Sequence, residues 1–598
     1  ALHCFAAMPP AARDADKLLT QLEAFKNRFD EGHSAAVAQL LAQLSKLHFD
    51  DCRQLNRFHE CLLFLRAFPH SASQITRVER LLNTFHGRIE KLRALVPDLS
   101  SLDEFDTSGI AGTTMQDTLS FDVAQWLVNR IPRNIEIAWD DYWDDYGAER
   151  TRGNLWPRFI PLLEEDAAVE ANIPWVRWLD AARGRRDSLP WLLSGFARLP
   201  LTSQEQAELY DSLRLPLRWK LDNLKLSRTR NWTRPRRFYF HDAPLIQRSD
   251  VSLARELART APTLKKLTWA EGEAVIEGMR EMMVVRYREL YGGTFGDPRT
   301  VVRADLGRGV IMHFWGLPPD RRLPLRAYLA GYTVKSGIPI NYFEAIGLCD
   351  WIELGFNTFY TYRQGETAWV YAQVLRCLRS LTGANCISIY PYQIGQDNDE
   401  AIDSGAFWFY RKLGFRSGRG DLEKLCAVEE KKIASRKGYR TPARTLKKLA
   451  EAHMFYEPRS PEAKSEIGVW DKFSIRNIGL RVNRRMAQEF NGDAAKIRDA
   501  STRFVARILR IDSKRLNRTE RKSLEDWSLV LALIPGLANW TAHEKRQLAK
   551  IVRAKIVQTK SVRAKSVQAK SVSNEMNYLR LTRLHPRLRS ELLRLGSG

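Results

Sequence analysis

The stretch Ala406-Phe407-Trp408-Phe409-Tyr410-Arg411-Lys412-Leu413-Gly414-Phe415 decides how the middle of this 598-residue chain is read. Its apolar spacing predicts a helix over Ala401–Leu413, stopped at Gly414, because glycine enters the left-handed cap conformation without steric cost. Working backwards, the patterns predict a strand over Cys386–Tyr390, a helix over Thr367–Ser380 and a strand over Trp351–Tyr360. Earlier come the strand-like runs Leu264–Thr268, Thr300–Ala304, Val310–Trp315 and Tyr328–Val334, the last turning at Lys335-Ser336-Gly337 into Ile338–Glu344. A long helix, Ala270–Tyr291, carries Ile276, Met279, Met283, Tyr287 and Leu290 on one side and is stopped by Gly292-Gly293.

That order of elements resembles the GNAT superfamily of acyl-CoA-dependent acyltransferases, over residues ~260–425 only. Members end their domain with N-x-x-A-x-x-x-Y-x-x-x-G-F. Tyr410 to Phe415 matches this ending, with Ala406 at a small position and Asp403 where the family has Asn. Asn398 with Ala401 keeps the N-x-x-A step but displaced towards the N-terminus, so which of Asn398 and Asp403 takes the family role stays open. The family's pyrophosphate loop reads R/Q-x-x-G-x-G/A. Its counterpart is Arg363-Gln364-Gly365-Glu366-Thr367-Ala368, where Arg363 and Ala368 match and Glu366 stands at the expected Gly, one place after Gly365. Backbone amides in such a loop, together with the partial positive charge of a helix start, suit phosphate oxygens. A glutamate there brings bulk and negative charge. Either the loop is re-registered around Gly365 or the grip is weakened.

The resemblance implies an N-acyltransferase, most simply an acetyltransferase, moving the acyl group of acetyl-CoA or another acyl-CoA to an amine in a ternary complex. It assigns Tyr410 as the acid that protonates the leaving thiolate. Glu353 on the strand before the loop is the first choice of base and Glu344 the second, since a carboxylate in a cleft gains basicity by desolvation. Asp350 is a further candidate, and Cys349, with no His near it in sequence, reads as a packed thiol. Arg363 to Ala368, with Asn398 and Asp403, form the expected cofactor-binding set. Two other readings stay open: a GNAT-shaped scaffold without turnover, and a transferase of the same fold that uses aminoacyl-tRNA.

The flanks differ from the centre. Residues 1–255 read as helical, a bundle or solenoid with no repeated consensus: Leu18, Leu19, Leu22 and Phe25 recur at helical spacing, and Thr202-Ser203-Gln204-Glu205 is a capping box. The expected class is therefore α+β, a central mixed-sheet domain (256–425) between an N-terminal all-α region and a C-terminal basic helical region (426–598). Two patches invite a functional reading. Trp139-Asp140-Asp141-Tyr142-Trp143-Asp144-Asp145-Tyr146 carries four carboxylates without the glycine or spacing of a calcium loop, and reads as an acidic helix face anchored by aromatics. Arg228–Tyr239 interleaves guanidinium groups with Trp232, Phe238 and Tyr239, as nucleic-acid binders do, or else is a linker that packs its rings.

Net charge is +24, yet residues 426–598 hold 39 Lys+Arg against 17 Asp+Glu, so almost the whole excess lies there. Within it, Ile551–Lys570 repeats a pentapeptide four times, with lysines at 555, 560, 565 and 570. This basic, loosely helical tail points to nucleic acid or another polyanion. Seven scattered cysteines without CxxC spacing and histidines without HxxxH pairs argue against disulfides and a metal site. No apolar run of membrane-spanning length and no secretory signal stand in the sequence, so a cytoplasmic location is expected.

Overall fold

The computed structural model describes residues 10–96, 98–104, 106–144, 156–159, 175–222, 224–458, 465, 467–556 and 574–597. It is a mixed α+β structure divided into two compact units. The first comprises Ala1–Pro244, Glu277–Thr294 and Ser336–Ile338; the second comprises Leu245–Ile276, Phe295–Lys335 and Pro339–Gly598. The residues set apart in sequence by their charge, from 426 onwards, thus fall in the same unit as the central sheet. No described helix is long and apolar enough to cross a membrane.

The first unit begins with five helices, Pro10–Phe25, Glu31–Lys46, Cys52–Ala67, Ala72–Leu82 and Phe85–Leu95, packed about Leu19, Leu41, Phe58, Val78 and Ile89. The expectation of an all-α region is corrected further on. Strands β1 (Thr114–Thr118), β2 (Ile135–Ile137) and β3 (Pro216–Lys220) form an antiparallel sheet ordered β1-β3-β2. These strands are short and polar on one face, so no apolar run announced them; Met115, Leu217 and Trp219 are nevertheless fully buried. The capping box of Thr202 and Glu205 forms as read.

The second unit is built on a nine-stranded sheet ordered β11-β12-β10-β9-β8-β7-β6-β5-β4. In chain order the strands are β4 (Leu264–Lys266), β5 (Val302–Gly307), β6 (Val310–Trp315), β7 (Ala327–Lys335), β8 (Ile338–Leu348), β9 (Trp351–Thr358), β10 (Cys386–Ile389), β11 (Arg416–Ser417) and β12 (Met454–Tyr456). Strands β9 and β10 run parallel, joined by the helix Thr367–Thr382, while β8 and β12 pair antiparallel to them on either side. The connecting helix buries Val370, Val374, Leu375 and Leu378 and stops at Gly383, whose φ of 67° is the left-handed cap. The long helix read as Ala270–Tyr291 ends at Val284, and Gly292-Gly293 lie in a separate short turn, Tyr291–Thr294. The helix read as Ala401–Leu413 breaks into Asp399–Asp403 and Ala406–Lys412 at Gly405, which has φ 71°.

The C-terminal helices are part of the sheet's core. Trp351 stacks on Trp470 at 5.0 Å between ring centroids, and Leu348, Cys386 and Phe455 join Trp527, Tyr578 and Leu592 in one cluster. The reading as a tail is therefore corrected for residues 551–556. Ala542–Ile556 is a helix, Lys555 is buried with Nζ 3.0 Å from Glu575, and Asn574–Leu584 packs back on the sheet through the hydroxyl of Tyr578, which donates to the carbonyl of Leu325. The remaining pentapeptide residues, 557–570, lie outside the described residues.

Candidate functional site

The site begins as a parting of two strands. Parallel pairing of β9 with β10 ends at Glu353 with Ser388, but β9 continues to Thr358 while β10 stops at Ile389. Beyond the last pair, the β9 edge facing β10 has no strand partner among the described residues. One side chain reaches into this gap: Gln393, from the turn Pro391–Ile394, accepts from the backbone N–H of Phe356 at 3.4 Å. Gly355 makes room for it, since a Cβ there would lie 2.5 Å from Nε2 of Gln393. Tyr360, Tyr390 and Tyr392, at the ends of the two parted strands, are among the chain's exposed large rings.

The loop after β9 leads straight to the start of the Thr367 helix. Gly365 donates its N–H to the carbonyl of Tyr362 at 2.9 Å, closing a tight turn. Gln364 is exposed, Thr367 is half-buried with its hydroxyl 3.4 Å from the Arg363 carbonyl, and Ala368 is buried. Arg363 pairs with Glu400 and donates from Nε to the carbonyl of Thr358 at 3.2 Å. Glu366 is the N-cap residue but gives the helix no side-chain cap. Its carboxylate turns inward, 2 % exposed, to Arg308 at 2.9 Å from Nε, to Lys335 Nζ at 3.7 Å and to the backbone N–H of Ile246 at 3.2 Å. Burial holds the Lys335 amine down at about 7. The charge that breaks the loop pattern in sequence is thus spent in the interior and does not cap the first helical amides.

The other face of the sheet carries the two candidate bases. Glu344 on β8 is paired opposite Gly355 and Glu353 on β9 opposite Ile346, which places both carboxylates on one face, one diagonal step apart. The Tyr328 hydroxyl donates to Glu344, and burial pushes that carboxyl above its usual range despite the bond. Glu353 lies 3.1 Å from Nε2 of His453 and 3.7 Å from Arg326. His453 stands edge-on to Tyr390 at 5.4 Å, with a side chain 30 % exposed. Asn357, beyond Gly355 on the same face, donates to the Tyr342 hydroxyl at 3.2 Å. His453 was missed in sequence because a lone histidine a hundred positions from Glu353 carries no spacing signal.

Tyr410 lies on the opposite side. Its ring is 5.6 Å from Tyr371, on the Thr367 helix, and 5.7 Å from Phe415, and Tyr371 in turn meets Phe356 of β9 at 5.1 Å. Burial pushes the Tyr410 phenol well up, and among the described residues its hydroxyl has no hydrogen-bond partner. Asn398 caps the helix Asp399–Asp403, accepting from Ala401 N–H at 3.1 Å, while Asp403 at its end is exposed. Asp350 is engaged by Arg589 at 2.8 Å, and the buried Cys349 thiol is pushed up to about 12.

In the first unit, the arginine–aromatic run is woven into the fold at its beginning. Arg228 is buried, pairs with Glu60 at 2.9 Å and donates to the carbonyls of Thr107 and Ser108, and Trp232 donates to the Ser336 carbonyl at 2.9 Å. The acidic run starts as the helix Trp139–Asp144 with Tyr142 buried; residues 145–150 lie outside the described residues. No protein-family model, no curated protein and no solved structure matches the chain.

Proposed function

We propose that the second unit is an acyl-CoA-dependent N-acyltransferase of GNAT type. The observation that carries the reading is the parting of β9 from β10 beside an uncapped helix start, with Glu366 turned away from both. A strand edge without a strand partner offers N–H groups to an extended thiol ester arm and to its carbonyl. The first amides of the Thr367 helix and the loop from Arg363 to Ala368 suit a pyrophosphate. Acyl-CoA supplies the activated acyl group, and the rest is the work of this chain's side chains. Phe356 N–H polarises the carbonyl once Gln393 has moved aside. The amine enters over the face of Glu344 and Glu353 and gives up its proton there. Glu353 orients His453 through Nε2–H, leaving Nδ1 as the acceptor, so the pair rather than the carboxylate alone is the base. Tyr410, on the helix Ala406–Lys412, takes the role of proton donor to the thiolate that the resemblance implies.

Isothermal titration of the full chain with acetyl-CoA tests the reading: micromolar to submillimolar binding is expected, and absence of heat at millimolar acetyl-CoA would overturn it. A second reading, the same architecture without turnover, draws on Gln393 occupying the Phe356 amide. Acetyl-CoA that binds without release of thiol across a panel of primary amines would favour it.

A further inference from the structure

The charge asymmetry of the C-terminal region is not used by the site above. The structure concentrates part of it on one feature, the antiparallel pair of helices Ala494–Leu509 and Arg518–Leu531 with the connection between them. Arg498 meets Asp526 across the pair at 2.6 Å, which sets the register of the two helices. Stepping from that rung towards the connection, Arg503 comes level with Arg521 and Lys522, then Arg507 with Arg518, and Arg510, Lys514 and Arg515 crown the tip. All eight are exposed. Residues 503–522 hold these eight cations against two acids, Asp512 and Glu520. Both acids have local duties: Asp512 accepts from the Lys514 N–H at 3.1 Å and pairs with Arg515, and Glu520 closes a capping box with Asn517.

The fold does not ask for this charge. Arg507, Arg510, Lys514, Arg518 and Lys522 make no ion pair or side-chain hydrogen bond with any described residue. Arg518, Arg521 and Lys522 sit in the first turns of a helix, where the backbone dipole disfavours cations. Arg510 occupies a helix end at φ 54°, a conformation that glycine or asparagine adopts more cheaply. Six of the eight are arginine, the side chain whose planar fork suits phosphate oxygens.

We propose that this helical hairpin binds the phosphate backbone of a nucleic-acid duplex without reading its sequence. The eight cations run for roughly 10 Å along the hairpin, enough to meet several phosphates of a duplex, whose charges fall about every 1.7 Å of axis. No large apolar side chain between residues 503 and 522 is exposed, so the surface has neither the rings that stack single-stranded bases nor the wedge that enters a bilayer. The proposal is independent of the acyltransfer reading.

The test is fluorescence anisotropy of the full chain with a labelled 20-base-pair duplex, as RNA and as DNA, over a series of salt concentrations. Three proteins are compared: the parent chain, R507E/R510E/K514E/R518E, and a second set at another basic stretch, R436E/K437E/R440E/R444E. The parent should bind at low salt, with log Kd against log salt rising by about 0.9 per phosphate contacted. The hairpin set should weaken binding more than about tenfold and flatten that slope, and the second set should stay within about threefold. A neutral hairpin set, all four to Gln, should fall between, and circular dichroism checks that each variant is folded. The proposal is overturned if the parent does not bind duplex at low salt. It is also overturned if the hairpin set binds like the parent, if the second set is the one that loses binding, or if anionic phosphatidylserine vesicles compete the duplex off the parent at equal phosphate.

Discussion

Glu366 accepts a hydrogen bond from Nε of Arg308 at 2.9 Å, and with Lys335 Nζ 3.7 Å away this pairing carries the loop's one negative charge into the interior. Removing the carboxylate takes away the counter-charge of Lys335, itself fully buried, whose Nζ also donates to the Arg308 carbonyl. Glu366→Ala is expected to cost about 3–5 kcal/mol in urea unfolding, as breaking one side of a buried pair does. Combining it with Lys335→Met should restore most of the loss. A single variant that unfolds within 1 kcal/mol of the parent, on the order of a surface change, would show that the cluster does not hold the loop.

Gly355 and Gln393 share one small space. Gly355→Ala brings a methyl to 2.5 Å from Nε2 of Gln393, and overpacking of this kind costs about 1–3 kcal/mol. Because the obstacle is the end of a side chain, Gln393→Ala in the same protein should recover the difference. Additive losses in the double-mutant cycle would place the clash elsewhere.

The pH dependence of stability carries the mark of Glu344. Its folded pKa is raised above the unfolded value by burial. Below the unfolded pKa both states hold the proton. As pH rises from there through the folded pKa, the native state must release a proton it binds more tightly, and stability falls. Glu344→Gln removes that slope. Unfolding midpoints measured from pH 4 to pH 8 should fall less with rising pH in the variant; parallel curves would mean that Glu344 does not titrate out of register with the unfolded chain.

For the proposed reaction, Glu353→Gln and His453→Ala should each lower kcat by about 10²–10⁴, the usual worth of a positioned base, with acetyl-CoA affinity unchanged. Two variants that lose rate to the same extent singly and together would mark the pair as one unit; a His453→Ala protein with the parent's kcat would return the role to Glu353 alone.

The C-terminal helices close the sheet's core. Leu579 packs against Gly347, and Arg589 holds Asp350 at 2.8 Å. A chain ending at Ser573 should lose cooperative unfolding by circular dichroism, because Tyr578, Leu588 and Leu592 leave a buried cluster together. A truncated chain that melts as sharply as the parent would separate these helices from the folding of the sheet.

Much of the second unit's order was legible in the chain itself. The helix Thr367–Thr382 was read to within its last turn because its apolar residues recur at helical spacing. Strands β6, β7 and β9 stood out as β-branched and aromatic runs. The three strands of the first unit did not, since a strand of three to five residues with polar partners leaves no periodic trace. Gly405 was hidden for a different reason: a glycine inside a helical pattern is tolerated often enough that its φ cannot be read from its identity.

By itself the sequence determined most of the order of strands and helices around β9 and where the cationic excess lies, because both are properties of residue type and local spacing. Only the tertiary structure decided what those residues do to one another. Local pattern places Glu366 in a loop, but whether its charge faces outward or is buried on Arg308 and Lys335 depends on strands that arrive from elsewhere in the chain. The same holds for Glu353 and His453, and for a lysine-rich repeat whose first lysine lies in the core against Glu575. Side-chain pairing across a sheet is set by register and packing, and these are long-range consequences of burying apolar surface that no window of sequence contains.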